Sequence, residues 1–385
     1  MPGTAELLFW VCLVAGLYPY VGYPLCLWLL RSVRARPVQG GAFTPRVTVV
    51  IAAYNEAHSI VATVRNKLAQ DYPPQLLQVL VASDASTDAT DALLESLTRE
   101  DARVGFLRQE PRSGKTAALN RLIERADGEI IVFADANSMY RPQTLRELLA
   151  PFADPAVGYV TGRMLYVDAH GSLVGDGCSA YMRYENRLRS LESDLGSVVG
   201  VDGGVDAVRR ALYRPMRPDQ LPDFVLPLAV VEQGCRVVFA PAAVLEEETL
   251  ATAGAEYRMR VRVALRALWA LRDKRRLLNP LRFPLFSWQL LSHKLLRYLS
   301  FLPLAAAALL NWTLLSQGPL YRWLAAGQVA LVLLALAARA GPGPLRRFAL
   351  ARYSYYFLLL NAASAVALAR FVRGQKQVLW QPRTG

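Results

Sequence analysis

Histidine and cysteine, which build most transition-metal sites, are scarce in this sequence. The chain has 385 residues, with 3 histidines and 4 cysteines. The cysteines, at positions 12, 26, 178 and 235, form no C-x-x-C pair, so neither a disulfide framework nor a zinc site is indicated. His58, His170 and His293 lie far apart in sequence. A histidine-based metal site is therefore not expected, although folding can bring distant residues together.

Two familiar phosphate-binding loops are also missing. No G-x-G-x-x-G follows the first predicted strand, and no G-x-x-x-x-G-K-[ST] is present. These absences argue against a dinucleotide-dependent dehydrogenase and a P-loop NTPase. Ser113-Gly114-Lys115 matches only the end of a P-loop, because the upstream glycine is missing. Lys115 is either a solvated helix start or a ligand contact.

Acidic residues are almost absent from residues 258–297, where Asp273 is the only one. The whole chain carries a net charge of +13, which suits either nucleic acid or an anionic membrane face. The basic stretch leads directly into apolar segments, so we expect a lipid bilayer and phosphate-bearing ligands as partners, and no nucleic acid. Its basic residues are Arg258, Arg260, Arg262, Arg266, Arg272, Lys274, Arg275, Arg276, Arg282, Lys294 and Arg297.

Long apolar segments are present. Hydrophobic residues make up 53% of the chain, and the mean hydropathy is +0.20, both high for a wholly soluble protein. Residues 7–30 carry no charge and are long enough to span a bilayer. Arg31, Arg34 and Arg36 follow at once, which predicts an amino terminus outside and a cytoplasmic flank after the first span.

Three more apolar segments cover residues 295–315, 320–338 and 353–369, and their flanks conflict. The loop with Arg339, Arg346, Arg347 and Arg352 and the tail with Arg370, Arg373, Lys376 and Arg383 are both basic, so both should be cytoplasmic. A single crossing at 353–369 cannot place both there. Either the positive-inside rule fails once, or one carboxyl-terminal segment does not cross fully.

The stretch from residue 46 to about residue 249 alternates strand and helix patterns. The predicted strands are 47–53, 78–83, 104–108, 129–134, 157–164 and 236–239. The predicted helices are 58–69, 88–98, 115–126 and 142–149. Such alternation predicts an α/β fold with a mostly parallel, Rossmann-like sheet and ligands at the carboxyl ends of its strands.

The expected organisation is an α/β domain flanked by transmembrane helices. We expect an amino-terminal transmembrane anchor at 1–36, the α/β domain at 46–255, amphipathic interfacial helices at 256–297, carboxyl-terminal transmembrane segments at 298–370, and a basic tail at 371–385. After residue 256 arginines recur on one helical face and apolar residues on another, as in a helix that lies at a membrane surface.

Polar residues follow three of the predicted strands. Glu56 comes just after the first, Asp84 ends the second, and Asp135 ends the fourth, with Asn137 two positions on. Side chains at i and i+2 point to the same side of a strand end, so Asp135 and Asn137 can converge on one hard cation. The alternative is that both residues only terminate the strand and form a turn.

Five motifs in order make the sequence resemble family 2 glycosyltransferases, in particular the membrane-embedded polysaccharide synthase type. They are V-T-V-V-I-A-A-Y-N-E (47–56), A-S-D-A-S-T-D-A-T (82–90), G-K-T-A-A-L-N (114–120), G-E-I-I-V-F-A-D-A-N (128–137) and P-D-F-V-L-P-L (222–228). The resemblance implies a GT-A fold that transfers a sugar from a nucleotide diphosphate with inversion. It covers most of the predicted soluble domain.

The resemblance also assigns donor-side residues. By position, Ala53, Tyr54, Glu56 and Asp84 would hold the nucleoside, with Lys115 as a further donor contact. Asp135-Ala136-Asn137 stands where the family has D-x-D, which binds Mg²⁺ or Mn²⁺ on the diphosphate. The neutral Asn137 replaces a carboxylate, so Asp135 would carry most of the metal binding.

On the acceptor side, Asp223 matches the catalytic aspartate of the family, and Phe224 follows it. A positioned carboxylate can take the proton of the attacking hydroxyl. Pro222 stands where the family usually has an acid, and a helix N-cap is the alternative role for Asp223. Gly203 and Gly204 occupy the place of an acceptor-side turn, and the alternative for them is a plain tight turn.

Arg262 matches the arginine of the family's Q-x-x-R-W motif, in which Met259 and Val263 replace the glutamine and the tryptophan. This departure weakens the prediction of a long-chain polymerase. Arg262 could pair with the donor diphosphate or only face anionic lipid.

The main hypothesis is therefore an integral membrane glycosyltransferase with a cytoplasmic catalytic domain. It would move a sugar, in the first instance from a UDP-sugar, to a polysaccharide or glycolipid acceptor. Two alternatives remain open. One is sugar transfer to a polyprenyl phosphate, which needs no general base. The other is an inactive membrane scaffold that retains the fold.

Overall fold

The computed structural model describes residues 3–167, 175–248, 252–340 and 348–377. Arg346, Arg347 and Arg383, which entered the topology argument, lie outside these ranges, as do His170 and residues 378–385 of the predicted basic tail. The rest of the chain forms an α/β domain against which a set of apolar helices packs.

One mixed sheet of eight strands, counted over the described residues, organises the α/β domain in the order β3-β2-β1-β4-β7-β6-β8-β5. The first four strands in this order are parallel to one another, and β6 is parallel to β8, whereas β7 and β5 run antiparallel to their neighbours. The predicted mostly parallel sheet is confirmed. The strands are β1 Val47–Ala53, β2 Leu77–Asp84, β3 Val104–Gln109, β4 Ile130–Asp135, β5 Met139–Tyr140, β6 Val157–Val167, β7 Asp206–Arg209 and β8 Arg236–Glu248.

Most predicted strands match to within a few residues, but three features were missed. β8 extends far beyond the predicted residue 239 because its pairing with β6 resumes after an irregularity and continues to Glu248. β5 and β7 have no counterpart in the prediction because two and four residues are too few to show a period. β7 matters most, since it enters the sheet between β4 and β6.

The helices of the α/β domain cover both faces of the sheet. They are α3 Ile60–Leu68, α4 Thr90–Glu100, α5 Lys115–Glu124, α6 Thr144–Leu149, α7 Gly175–Leu195 and α8 Pro222–Glu232. Alternation along β1 sends Val49 and Ile51 into one core and Val50 and Ala52 into the other. Each core is closed by helices, so β1 is buried along its whole length, as expected of a central parallel strand.

The apolar helices come from both ends of the chain. α1 Thr4–Leu17 and α2 Tyr23–Arg34 are joined by a π-turn at Tyr18–Gly22. α9 Ala253–Asp273 is followed by α10 Pro284–Leu290, a second π-turn at Leu291–Leu295, and α11 Leu296–Leu299. The remaining helices are α12 Phe301–Thr313, α13 Pro319–Ala340 and α14 Ala349–Val372.

Three of the described helical segments are long and apolar enough to cross a membrane: Thr4–Arg34, Pro319–Ala340 and Ala349–Val372. A fourth candidate is the pair Pro284–Leu299 and Phe301–Thr313, which is bent by 53°. α1 packs tightly on α12, since a Cβ on Gly16 would lie 2.7 Å from the Leu304 side chain. The hydroxyl of Tyr321 on α13 donates to Glu6 over 2.6 Å, so these two helix ends lie side by side.

α14 runs beside α9 for most of its length. Near the start of both helices, the Tyr356 hydroxyl donates to Glu256 over 2.8 Å. Near their ends, Trp269 Nε1 donates to the carbonyl of Gln375 over 2.8 Å. Lys376 then forms an ion pair with Asp219 of the α/β domain. The carboxyl-terminal end of this parallel pair therefore contacts the α/β domain.

Candidate active site

The carboxyl ends of β1 and β4 lie side by side, with Ala52 opposite Asp135, and a cavity of about 320 Å³ opens there. Seven of the predicted site residues line it: Glu56, Lys115, Asp135, Asn137, Asp223, Phe224 and Arg262. Residues from five separate parts of the sequence thus converge at the edge of the sheet where a ligand was expected.

Lys115 joins the two central carboxylates. Its Nζ lies 2.6 Å from Asp135 Oδ1 and 4.0 Å from Asp223 Oδ1. Burial alone would lower the pKa of Lys115, but the charges of Asp135 and Asp223 outweigh it and raise that pKa above its ordinary value. Lys115 is therefore a permanent cation in the cavity rather than a solvated helix start.

Asp223 lies in the first turn of α8, beside the glycine turn. The residue at the N-cap position is Leu221, so the alternative that Asp223 caps the helix is wrong. A Cβ on Gly203 would lie 2.5 Å from Asp223 Cγ, and Gly203 has a φ of +89°. Only glycine fits at this position, because a side chain would be strained and would also displace the carboxylate.

Gly204 approaches the other carboxylate. A Cβ added to it would lie 3.5 Å from Asp135 Oδ2 and 2.7 Å from Leu245. Gly203 and Gly204 therefore lie beside Asp223 and Asp135, and an acceptor-binding role for this turn stays a prediction.

Two further acids, Asp202 and Asp206, support this turn from behind. The Gly203 N–H donates to Asp206 Oδ2 over 2.8 Å, and Asp202 forms a buried ion pair with Arg189 of α7. Burial raises the pKa of Asp206 to about 8, and the charges of Asp223 and Asp202 act in the same direction. Asp206 is thus largely protonated at neutral pH.

This pKa predicts a pH-dependent cost to stability. A free aspartate titrates near about pH 3.9, so between about pH 4 and about pH 8 the folded chain binds a proton that the unfolded chain does not. Stability therefore falls as the pH rises through that window. Asp206→Asn keeps an acceptor for Gly203 and removes the loss. We expect its thermal midpoint to exceed that of the wild type by an amount that grows from about pH 5 to about pH 8 and then levels off. A difference that is independent of pH would contradict this assignment.

The predicted nucleoside-side residues are only partly brought to the cavity. Asp84 is fully buried and accepts hydrogen bonds from Gln109 Nε2 (2.6 Å) and from the N–H groups of Ser113 (2.8 Å) and Gly114 (3.0 Å). Its carboxylate therefore holds the loop that leads to Lys115. Ala53, Tyr54 and Asp84 are not among the described residues that line the cavity, and a direct donor contact from them stays a prediction.

Glu56 and Tyr54 flank this loop. Glu56 is buried, which raises the pKa of its carboxyl group, and Ser59 Oγ donates to it over 2.9 Å. The guanidinium of Arg112 lies 3.5 Å from the centre of the Tyr54 ring. An aromatic ring and a cation stacked at a strand end suit the binding of a base and a phosphate.

Arg262 projects from α9 into the cavity. Burial lowers the pKa of its guanidinium, while the nearby charges of Asp223 and Asp135 act in the opposite direction. Arg262 thus lines the same cavity as both carboxylates, and its contact with the donor diphosphate stays a prediction. One turn further along α9, the buried Arg266 donates to the carbonyl of Gln220.

Several residues of the cavity wall were not anticipated. Glu185 and Arg189 come from α7, and His293, Lys294 and Arg297 from the second π-turn and α11. α7 was not predicted, and its buried side chains include charged residues as well as the apolar Leu188, Leu191 and Leu195. The spacing of Glu185, Arg189 and Glu192 places these three on one helical face.

The donor atoms at the strand end fit a divalent cation bound together with a diphosphate. A carboxylate from Asp135 and an amide from Asn137 share the cavity. In the described part of the chain, no group of three or more His, Cys, Asp or Glu residues forms a complete metal cage. Mg²⁺ is commonly held by one or two protein ligands, with phosphate oxygens and water completing the shell.

Comparisons with known proteins agree with this geometry. Residues 48–204 match the family model "Glycosyl transferase family 2". A beta-monoglucosyldiacylglycerol synthase of Nostoc sp. is 29% identical over 189 residues, which cover 47% of this chain and 40% of that protein. A hyaluronan synthase of Streptococcus pyogenes serotype M3 is 28% identical over 198 residues, which cover 50% of this chain and 47% of that protein. The matches thus span less than half of the length of these relatives.

A solved structure matches nearly the whole chain. It is a mannosyltransferase from Pyrobaculum calidifontis in complex with GDP-Man and Mn²⁺. It is 23% identical, covers 96% of this chain and 99% of its own, and superposes with a TM-score of 0.74. At this identity the likeness shows the fold alone, and it confirms a GT-A-like α/β fold flanked by long apolar helices.

Proposed function

Because this chain belongs to glycosyltransferase family 2, we propose that it transfers a sugar with inversion from a nucleotide diphosphate donor, in the first instance a UDP-sugar, to a polysaccharide or glycolipid acceptor. The observation that carries the proposal is the meeting of Asp135, Lys115 and Asp223 on one cavity wall. The three groups supply a cation-binding carboxylate, a fixed positive charge and a second carboxylate free to accept a proton.

In this mechanism Asp223 is the general base. The acceptor oxygen attacks the anomeric carbon while its proton passes to a carboxylate oxygen of Asp223. The bond from the anomeric carbon to the diphosphate oxygen breaks, and its electron pair leaves with the nucleoside diphosphate. The contact between Asp223 and Gly203 fixes the carboxylate against the turn, where an acceptor can approach closely.

The leaving diphosphate would lie at the opposite side of the cavity. Lys115 and Arg262 are placed to contact its oxygens. Asp135 and Asn137 would hold Mg²⁺ or Mn²⁺, which supplies charge neutralisation to the leaving group. Since Lys115 already contacts Asp135, the carboxylate would share its two oxygens between the ammonium and the cation.

The proposal is tested by incubating the purified protein with UDP-sugars, Mn²⁺ and membrane acceptors and following UDP release. Equal release by the wild type and by Asp223→Asn would show that the assigned base is wrong. A polyprenyl phosphate acceptor is already an anion and needs no base. Near-full activity of Asp223→Asn with that acceptor would therefore favour the alternative reaction.

We place the catalytic domain on the cytoplasmic side and the amino terminus outside, with α14 as a helix that does not cross the membrane. α14 lies along α9 from Tyr356 to Gln375. α9 carries too many arginines to lie in hydrocarbon. Only residues 349–355 of α14 lie outside this contact with α9. They form about 10 Å of helix, which is too short to span a hydrocarbon core of about 30 Å.

A non-crossing α14 removes the topology conflict found in the sequence. The basic residues before it and after it then lie on the same, cytoplasmic side, as the positive-inside rule requires. The segment Thr4–Arg34, the bent pair that ends in α12, and α13 would provide the crossings. The pairing of Glu6 with Tyr321 is consistent with this arrangement, because both residues would lie at the outer ends of their helices.

Cysteine labelling tests this topology. In a variant whose four native cysteines are replaced by serine, we expect Gln317→Cys to react with a membrane-impermeant maleimide on intact cells. Arg339→Cys and Arg373→Cys should react only after permeabilisation. Opposite behaviour of the last two positions would show that α14 crosses the membrane.

A further inference from the structure

The cavity that holds Asp135 and Asp223 continues beyond them towards the apolar helices. Its other wall, the helix end of the cavity, is made by α7, the π-turn Leu291–Leu295 and α14, with Tyr20 from the first π-turn. Lining residues on this side include Tyr20, Tyr181, Glu185, Lys294, Leu360 and Ala363. None of them lies at a strand end, so donor binding does not account for this part of the cavity.

Lys294 is the distinctive group at the helix end. Its Nζ packs against the backbone of Gly200, where a Cβ would lie only 2.3 Å away. It also lies 6.0 Å from the centre of the Phe224 ring. The side chain is only 14% exposed. Among the described residues, the nearest carboxylate is Glu185, at 4.0 Å, beyond hydrogen-bond distance.

The carboxylates around Lys294 are already engaged by other groups. Glu185 binds Arg297 through one oxygen and His293 Nε2 through the other, at 3.2 Å. Glu192 accepts hydrogen bonds from Tyr23, from His293 Nδ1 (2.7 Å) and from the Val199 N–H (3.1 Å). A largely buried ammonium without a hydrogen-bonded carboxylate is costly, so Lys294 is placed to meet the negative charge of a ligand.

The position of Lys294 connects that charge to the proposed base. The Phe224 ring lies beside the ammonium, and Phe224 directly follows Asp223 in the first turn of α8. A molecule whose anionic group contacts Lys294 would therefore lie beside Phe224, next to the proposed base, where an acceptor has to bind.

Beside its charged residues, which include Glu185, His293 and Arg297, this wall also carries apolar surface. Leu360 and Ala363 on α14 and Tyr20 on the first apolar segment line it. A ligand that satisfies both Lys294 and this wall has a phosphate-like headgroup and a hydrocarbon chain. A neutral sugar chain offers neither feature.

We infer that Lys294 binds the headgroup phosphate of a membrane lipid acceptor, whose hydrocarbon chain lies along Leu360 and Ala363. The inference rests on the proposed function, because it names the chemical class of its acceptor. It makes Lys294 a residue that determines acceptor specificity, and it separates acceptor recognition from the donor-binding strand ends.

Binding of three probes to the purified full-length protein in detergent tests the inference without turnover. The probes are farnesyl phosphate, farnesol and inorganic phosphate, measured by titration calorimetry. We expect farnesyl phosphate to bind the wild type at least about tenfold more tightly than either other probe, and Lys294→Met to lose about tenfold or more of that affinity. Lys294→Arg and Lys376→Met, the latter on the exposed surface, should bind farnesyl phosphate like the wild type.

UDP binding in the presence of Mn²⁺ should be unchanged in Lys294→Met, which shows that the variant is folded. The inference is overturned if the wild type does not bind farnesyl phosphate, if Lys294→Met binds it as well as the wild type, or if farnesol or inorganic phosphate binds equally well. Farnesyl phosphate binding without UDP release from any UDP-sugar would instead refute the proposed function and leave the lipid site intact.

Discussion

Replacing Asp223 with asparagine is expected to lower kcat for sugar transfer to a hydroxyl acceptor by about 10²–10⁴-fold, the usual contribution of a general base. The substitution keeps the shape of the side chain and its contact with Gly203 but removes the ability to take a proton. The KM for the donor should change little, because Asp223 is not placed to bind the diphosphate. UDP release under saturating donor and acceptor measures the effect.

Asp219→Asn is the matched control for this experiment. Asp219 pairs with Arg217 and Lys376 at the surface and lies outside the described lining of the cavity, so its loss should leave kcat within about twofold of the wild type, as for a surface ion pair. If Asp223→Asn instead leaves kcat unchanged and lowers kcat/KM strongly, Asp223 binds the acceptor and does not take its proton.

Asp135→Ala is expected to reduce transfer by about a thousandfold or more, because it removes the main charged ligand for the metal–diphosphate complex. It also takes away the partner that lies 2.6 Å from Lys115. Asn137→Asp should keep activity within about tenfold of the wild type, since it restores the second carboxylate that such sites commonly use. Initial rates across a Mn²⁺ titration measure both effects.

The same titration separates the two roles of Asp135. If Asp135→Ala loses activity because it binds the metal weakly, the milder variant Asp135→Asn should regain part of the wild-type rate at high Mn²⁺. For the same reason, Asn137→Asp should reach its half-maximal rate at a lower Mn²⁺ concentration than the wild type. Full activity of Asp135→Ala at ordinary Mn²⁺ concentrations would contradict the proposed role of Asp135.

The central sheet could be predicted because its signals are local. The predicted bounds of β1 agree with the structure at both ends, because an unbroken apolar run of this length is typical of a strand that is buried on both faces. The acidic ends of β2 and β4 were found for the same reason. The short strand β7 could not be predicted, because its four residues form a strand only through their pairing with β4 and β6, which are distant in sequence.

The roles of buried charged residues in the site could not be predicted from the sequence. Donor binding by Asp84 stays a prediction, and its second role, in which it accepts hydrogen bonds from three donors at residues 109–114, is known only from the fold. Asp202 and Asp206 had no assigned role, because their partners, Arg189 and the Gly203 N–H, are known only from the fold. Lys294 belonged to a run of basic residues, and nothing in that run distinguished it from those at the surface.

Membrane topology required the structure as well. Hydropathy treats α14 like any other apolar segment. Its alignment with the arginine-rich α9 depends on contacts such as that between Tyr356 and Glu256, which are distant in sequence. The flanking charges left two interpretations open: either the positive-inside rule fails once, or one carboxyl-terminal segment does not cross fully. The packing of α14 on α9 supports the proposal that α14 is that segment.

Transfer of a labelled sugar tests the central claim most directly. The purified wild-type protein would be incubated with Mn²⁺, bacterial membrane lipids as acceptors and each labelled nucleotide-sugar in turn, and label would be measured in the acceptor fraction alongside nucleoside diphosphate release. The account predicts that at least one donor transfers label, with equal amounts of nucleoside diphosphate released and with loss of both signals after metal chelation. Tight nucleotide binding with neither label transfer nor release, for every donor, would contradict it and favour an inactive scaffold.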